Sequence, residues 1–215
     1  MKRIFLFIVS FLIAGLSSEV YATPFQNGSF ELPGARDAGP LYAGSTFITG
    51  WTVEDGSIDY WNQFQSSDGN WSIDMDGTFY RGTISQTFDT DVGARYNIRF
   101  DLAGNPGGGG DVIKRLGVYV GNYSGEYFFD VTGHTASDMG WEEQSFSFCA
   151  QDTSSKITFK SLSLIPFPDG TYNRGAFIDN VRIQQIPNPV PEPATMLLLA
   201  SGLAGLAGVR RKFKN

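Results

Sequence analysis

The sequence predicts an all-β domain, a two-sheet β-sandwich or jelly roll, carried between an N-terminal signal helix and a short hydrophobic C-terminal helix. Three observations predict it. In residues 95–102, Tyr96, Ile98, Phe100 and Leu102 fall on one face, and Arg95, Asn97, Arg99 and Asp101 on the other. That period of two belongs to a strand with one buried face. Similar short runs rich in aromatic and β-branched residues occur at Phe47–Val53, Trp71–Met75, Thr83–Phe88, Leu116–Val120, Tyr127–Val131, Gln144–Cys149, Lys156–Leu162 and Ala176–Ile183, divided by Gly, Asn, Asp and Pro. No long amphipathic helix competes with them. About nine short strands with turn signals between them make a sandwich or jelly roll.

In chain order, Lys2 and Arg3 precede an apolar segment, Ile4 to Leu16, and Val20-Tyr21-Ala22 supplies a signal-peptidase site. Residues 1–22 thus read as a signal peptide, with the mature chain starting near Thr23. Residues 23–186 form the domain, long enough for one sizeable core. Of the 16 basic residues six lie in the terminal segments, and of the 22 acidic residues only two do, so the domain is near −10. Such a charge argues against nucleic acid and against anionic lipid as partners. Cys149 is the one cysteine, which excludes an intrachain disulfide, and burial within a strand is the expectation for it. The glycine-rich segment Gly104 to Gly110 lacks the Gly-Lys-Ser/Thr ending of a phosphate loop and reads as a hairpin tip.

Residues 187–193 hold four prolines and form a stiff linker. Residues 194–215 follow, with sixteen uncharged residues (Ala194 to Val209) before the cluster Arg210, Arg211, Lys212 and Lys214. As a helix the apolar run would be about 24 Å long at ~1.5 Å per residue, short against a hydrocarbon core of ~30 Å. The basic cluster would stay cytoplasmic and hold everything upstream outside. Val190-Pro191-Glu192-Pro193, a small-residue-rich apolar run and a terminal Arg/Lys cluster resemble the PEP-CTERM sorting signal of Gram-negative bacteria. The resemblance implies transient anchoring in the inner membrane, processing by an exosortase, and export to the cell surface or a biofilm matrix. An ordinary C-terminal membrane anchor is the plainer alternative.

The domain opens with Asn27-Gly28-Ser29-Phe30-Glu31 and closes with Ala176-Phe177-Ile178-Asp179-Asn180-Val181-Arg182-Ile183. Ile48-Thr49-Gly50-Trp51, Ser67-Asp68-Gly69-Asn70-Trp71 and Phe100-Asp101-Leu102-Ala103-Gly104-Asn105-Pro106 lie between them. The series resembles the bacterial choice-of-anchor C group, the domain of unknown function 642. More loosely it is similar to carbohydrate-binding modules with the galactose-binding-like jelly roll. That similarity implies terminal strands side by side and a structural Ca²⁺ near them, with Glu31 and Asp179 at the positions of carboxylate ligands. Calcium takes 6–8 oxygens, and carboxylates from both ends of a chain would meet at such an ion. Hydrogen bonds from backbone amides are the other use for the same two residues.

Sugars present C–H faces that pack on aromatic rings and hydroxyls that seek amide, carboxylate and backbone groups. Tyr60, Trp61, Asn62 and Gln63, followed by the polar turn with Asp68 and Asn70, offer that mixture and are the expected ligand-binding residues. Tyr80, Tyr123 and Trp141 are further candidates, while Trp51, Trp71 and Trp141 also suit a core. Catalytic constellations are thin: His134 is the single histidine, with no nucleophile elbow. Asp74 with Asp76, or Glu142 with Glu143, could supply a hydrolase pair only across a cleft. The expected function is therefore non-enzymatic polysaccharide binding by an exported protein. The alternatives are a structural or adhesion protein with protein partners, and a carbohydrate-active hydrolase.

Overall fold

The computed structural model describes residues 23–34, 39–107, 111–164 and 174–187, together with residues 198, 199, 201–203 and 210 of the tail. The predicted signal peptide and most of the linker and tail lie outside the described residues. Eleven strands are described: β1 (Gly39–Tyr42), β2 (Thr52–Asp55), β3 (Ser57–Trp61), β4 (Ser72–Asp74), β5 (Thr83–Asp89), β6 (Arg95–Gly104), β7 (Ile113–Val120), β8 (Tyr123–Asp130), β9 (Glu142–Cys149), β10 (Ser154–Ser161) and β11 (Ala176–Ile186). They form a six-stranded sheet, β1-β3-β4-β11-β6-β9, and a five-stranded sheet, β2-β5-β10-β7-β8. Every pairing is antiparallel. Residues 198, 199 and 201–203 are helical, and among the described residues no helix is long and apolar enough to cross a membrane.

The alternation predicted for residues 95–102 is realised in β6, where Ile98, Phe100 and Leu102 are fully buried between the sheets. Phe159 of β10 meets Phe100 from the opposite sheet, edge to face at 5.3 Å. Trp51 and Phe30 extend the same core. Each such ring, fully buried, stabilises the fold by about 1.5–3 kcal/mol relative to exposure.

The opening motif is a tight loop stitched to β11. Asn27 has φ 52°, the left-handed region that asparagine tolerates best after glycine. Its side-chain amide donates to the carbonyls of Leu32 (2.8 Å) and Thr49 (2.9 Å) and accepts from the Leu32 amide (2.9 Å). β11 carries a bulge between Asp179 and Arg182, with Asn180 at φ 51°. The bulge turns the Val181 amide toward Gly28, whose carbonyl accepts it at 2.8 Å. Gly28 has to be glycine, because a Cβ there would collide with the Val181 carbonyl.

Four details depart from the sequence reading. β1 and β3 were not foreseen, and the run Phe47–Val53 is strand only from Thr52 onward. Cys149 is exposed rather than buried. Phe146 and Phe148 take the inward positions of edge strand β9, so strand parity sends Cys149 outward. Gly104 to Gly110 is no hairpin tip: it joins β6 of one sheet to β7 of the other, with residues 108–110 outside the described residues.

Substituting Gly28→Ala tests the seam between the opening loop and β11. A Cβ with no room forces backbone apart, which costs about 2 kcal/mol. The urea midpoint should fall accordingly, and an unchanged midpoint contradicts the fit described.

Candidate functional site

Between β3 and β4 the chain crosses the outer face of the six-stranded sheet as residues 62–71, and three carboxylates fasten it there. Glu31 accepts the backbone amides of Asn70 and Trp71, each at 2.8 Å. Its carboxyl group sits where a side chain on Gly69 would go. Asp179 accepts the amides of Ser67 (2.8 Å) and Asp68 (2.9 Å), and Asp101 accepts from the Ser67 hydroxyl. Glu31 and Asp179 therefore act as clasps for one loop, the second of the two uses foreseen for them. Both carboxylates accept N–H donors from that loop. Among the described residues no group of three or more His, Cys, Asp or Glu side chains could hold a metal.

The six residues expected to contact a ligand are dispersed by the same geometry. Tyr60 is 1% exposed, stacked on Trp71 at 4.5 Å, and its hydroxyl donates to the Phe30 carbonyl. It is a core residue, which corrects its assignment to the ligand. Trp61 is half-buried against the core, and Asp68 is exposed. Asn62, Gln63 and Asn70 are exposed. Tyr123 stacks on Phe146 at 3.9 Å. Of the sorting residues, Arg210 is exposed, while Val190, Pro191, Glu192, Pro193 and Arg211 lie outside the described residues.

Beyond the loop, at the β3–β4 end of the sheet, lies a buried polar cluster. Asp74 is fully buried and accepts from the Asn105 side chain (2.8 Å) and from the amides of Gly175 (2.8 Å) and Asp76 (3.0 Å). Asp76 accepts from the hydroxyls of Ser161 and Ser163, and Asp59 from the amide and hydroxyl of Thr78. Buried Lys114 donates to the Arg174 carbonyl at 2.7 Å. These carboxylates are committed to fastening loops. Burial pushes Asp59, Asp74 and Asp76 above the usual carboxylate range, and it pushes Asp179 up to about 7.

The chemistry suited to a ligand is found instead where β2, β5 and β10 end together. There an open cleft of about 440 Å³ is lined by Asp55, Phe79, Tyr80, Arg81, Thr83 and Lys160, among others. Phe79 and Tyr80 are 45% and 58% exposed, with ring centroids 6.3 Å apart. They lie in the β4–β5 connection, anchored behind by the Asp76–Arg81 bridge and by the Gly82 amide donating to the Met75 carbonyl at 2.7 Å. Register places Asp55 and Lys160 on either side of Thr83 on the outer face of the five-stranded sheet. Two exposed rings thus adjoin a carboxylate, a hydroxyl and two cations. Tyr80 was a secondary candidate in the sequence, and Phe79 was missed. Two consecutive aromatics in a Gly- and Thr-bounded stretch without alternation were the available signal.

These motifs and this architecture are those of a known family. The chain belongs to the family described as "Protein of unknown function (DUF642)", whose model matches residues 23–184, and it carries a PEP-CTERM protein-sorting motif at residues 189–212. That motif marks an exported protein sorted by an exosortase. Halomucin of Haloquadratum walsbyi is 28% identical over 175 residues, which is 79% of this chain, although the match spans only 2% of that relative's length. Among solved structures, TmCBM61 in complex with β-1,4-galactotriose is similar at 15% identity and TM-score 0.49, covering 77% of this chain and 100% of that one. A family 35 carbohydrate-binding module from Clostridium thermocellum is similar at 11% identity and TM-score 0.44, covering 69% and 100%.

Two measurements check the electrostatic account. Unfolded, Asp179 loses its proton near 3.8, but folded it does so only near 7. Between those values the folded state holds the extra proton, so stability falls as pH rises. The buried Asp59, Asp74 and Asp76 act in the same direction. The melting temperature should therefore drop from about pH 4 to about pH 7, with a shallower drop in Asp179→Asn; a profile rising over that window contradicts the account. Separately, Glu31→Ala should speed hydrogen exchange at the Asn70 and Trp71 amides by about tenfold or more, since each bond to a charged acceptor is worth about 1.5–3 kcal/mol. Unchanged exchange contradicts the clasp.

Proposed function

We propose that the exported domain binds polysaccharide of the cell envelope or extracellular matrix, without catalysis, through the cleft beside Phe79 and Tyr80. The observation that carries this reading is the pair of exposed rings set next to Asp55, Thr83 and Lys160. Sugar C–H faces pack on aromatic rings, while sugar hydroxyls exchange hydrogen bonds with carboxylate, hydroxyl and ammonium groups. The cleft is open and shallow, as a long chain lying across it requires. The sorting motif supports the reading, since it marks the domain for export.

Neither carboxylate pair considered for hydrolysis supports turnover. Asp74 and Asp76 are buried and hydrogen-bonded on the protein side. Glu143 is held in ion pairs by Arg99 and Arg182 at 2.8 and 2.7 Å.

Affinity electrophoresis in gels containing β-1,4-galactan, xylan, mixed-linkage glucan or alginate tests the reading. At least one polysaccharide should retard the protein, and the double substitution Phe79→Ala, Tyr80→Ala should weaken that retardation about fivefold or more, at about 1–3 kcal/mol for two lost aromatic contacts. The melting temperature should stay within a few degrees, because both side chains are exposed. Absence of retardation by every polysaccharide, or undiminished retardation of the variant, overturns it.

A further inference from the structure

A second cleft lies on the other sheet and shares no residue with the first. It is an open cleft of about 550 Å³ over the outer face of the six-stranded sheet, lined by Gln65, Ser67, Asp101, Asp138, Trp141 and Glu143, among others. Its walls are fixed to one another through Gln65. The Gln65 amide donates to the Ala136 carbonyl (2.8 Å), its side-chain carbonyl accepts the Met139 amide (2.8 Å), and its backbone carbonyl accepts the Trp141 indole N–H (2.8 Å). The Trp141 indole is backed edge to face by Phe177 at 6.4 Å. The carboxylates of Asp101, Asp138 and Glu143 offer acceptors. A smaller hollow of about 140 Å³ adjoins along β6 and β11, lined by Asn97, Arg99, Arg182 and Gln184, and offers donors. Glu143, ion-paired to both arginines, links the two spaces.

The lining fits a glycan better than a protein. None of the exposed large hydrophobic side chains among the described residues lines this cleft, and docking proteins bury an apolar centre. A preset tryptophan among fixed donors and acceptors suits a hydroxyl-rich, uncharged ligand. Acidic groups at the floor disfavour a polyanionic chain.

We propose that this second cleft also takes a polysaccharide, so that one domain joins two chains and cross-links the matrix that holds it. The inference rests on the polysaccharide reading of the first cleft. The geometry separates the two sites. The first is built on β2, β5 and β10, the second on β6 and β9, and β3 packs on β5 while β6 packs on β8. β5 and β8 are three strand steps apart, about 14 Å at ~4.8 Å per step, and the sheets are stacked at ~10 Å, so the sites, on opposite outer faces, stand more than roughly 17 Å apart. Two weak sites on one rigid body raise avidity for a network of chains without any new contact.

Latex beads coated separately with β-1,4-galactan, xylan, mixed-linkage glucan and alginate supply the test. The processed protein, as its host releases it, is first shown to be monomeric by light scattering. It should agglutinate beads bearing the polysaccharide that retards it in gels. Trp141→Ala, and independently Asp138→Lys, which places a long side chain in the cleft from an exposed loop, should each raise the concentration needed for agglutination at least tenfold. Both variants should still be retarded in gels through the first cleft, though less than the unaltered chain. Agglutination persisting unchanged in both variants, or retardation without any agglutination by the unaltered protein, overturns the second site and leaves the first standing. Absence of retardation removes both.

Discussion

The seam between the two ends of the domain is the constraint on which the rest depends. β11 is the strand that binds β4 to β6, and its bulge turns the Val181 amide out to the Gly28 carbonyl. The same bulge places Asp179 on the outer face, under the loop of residues 62–71, while the opening loop brings Glu31 to the other end of that loop. A motif from residues 27–31 and one from residues 176–183 thus hold a segment that neither touches in sequence. Closing so long a chain is entropically costly, and the fully buried aromatic core between the sheets supplies the offsetting free energy.

Once the seam is closed, both clefts follow from which loops it leaves free. The 62–71 loop is pinned flat, so Tyr60 and Trp71 are spent on packing. The β4–β5 connection is anchored through its backbone and Thr78, by Ser57, Asp59, Asp76 and Gly82, and carries the Phe79 and Tyr80 rings outward. On the far side Gln65 ties the pinned loop to residues 136–141 and sets Trp141 at the rim of the second cleft. The buried aspartates belong to the same economy of fastening. They hold loop amides and hydroxyls in place, and their cost is the raised proton affinity that burial imposes on Asp59, Asp74, Asp76 and Asp179.

The architecture was legible in the sequence because a strand writes its burial directly as alternation. Residues 95–102 show this without ambiguity, and eight more strands lay within or overlapped their expected runs. β1 and β3 were hidden for different reasons. Gly39–Tyr42 is too short to show a period, and Ser57–Trp61 runs into Asn62 and Gln63, which gave the whole stretch the composition of a sugar-contacting loop. Misjudging β3 misplaced Tyr60, since only strand parity tells an inward ring from an outward one. Cys149 failed in the same way, one position past the last inward phenylalanine. Glu31 and Asp179 fasten one loop from its two ends, an arrangement that only the folded chain displays. The clefts were the least visible features, because each is assembled from three or more segments far apart in the chain.

The central claim, that Phe79 and Tyr80 present a polysaccharide-binding surface at the end of the five-stranded sheet, is tested most directly by nuclear magnetic resonance of the isotope-labelled protein titrated with oligosaccharides of the polysaccharide that retards it. The account predicts amide shift changes concentrated at residues 55–56, 79–83 and 160–162, with a second set at residues 65–67 and 138–143. Changes confined to residues 60–63 and 68–70, or none at saturating oligosaccharide, would contradict it.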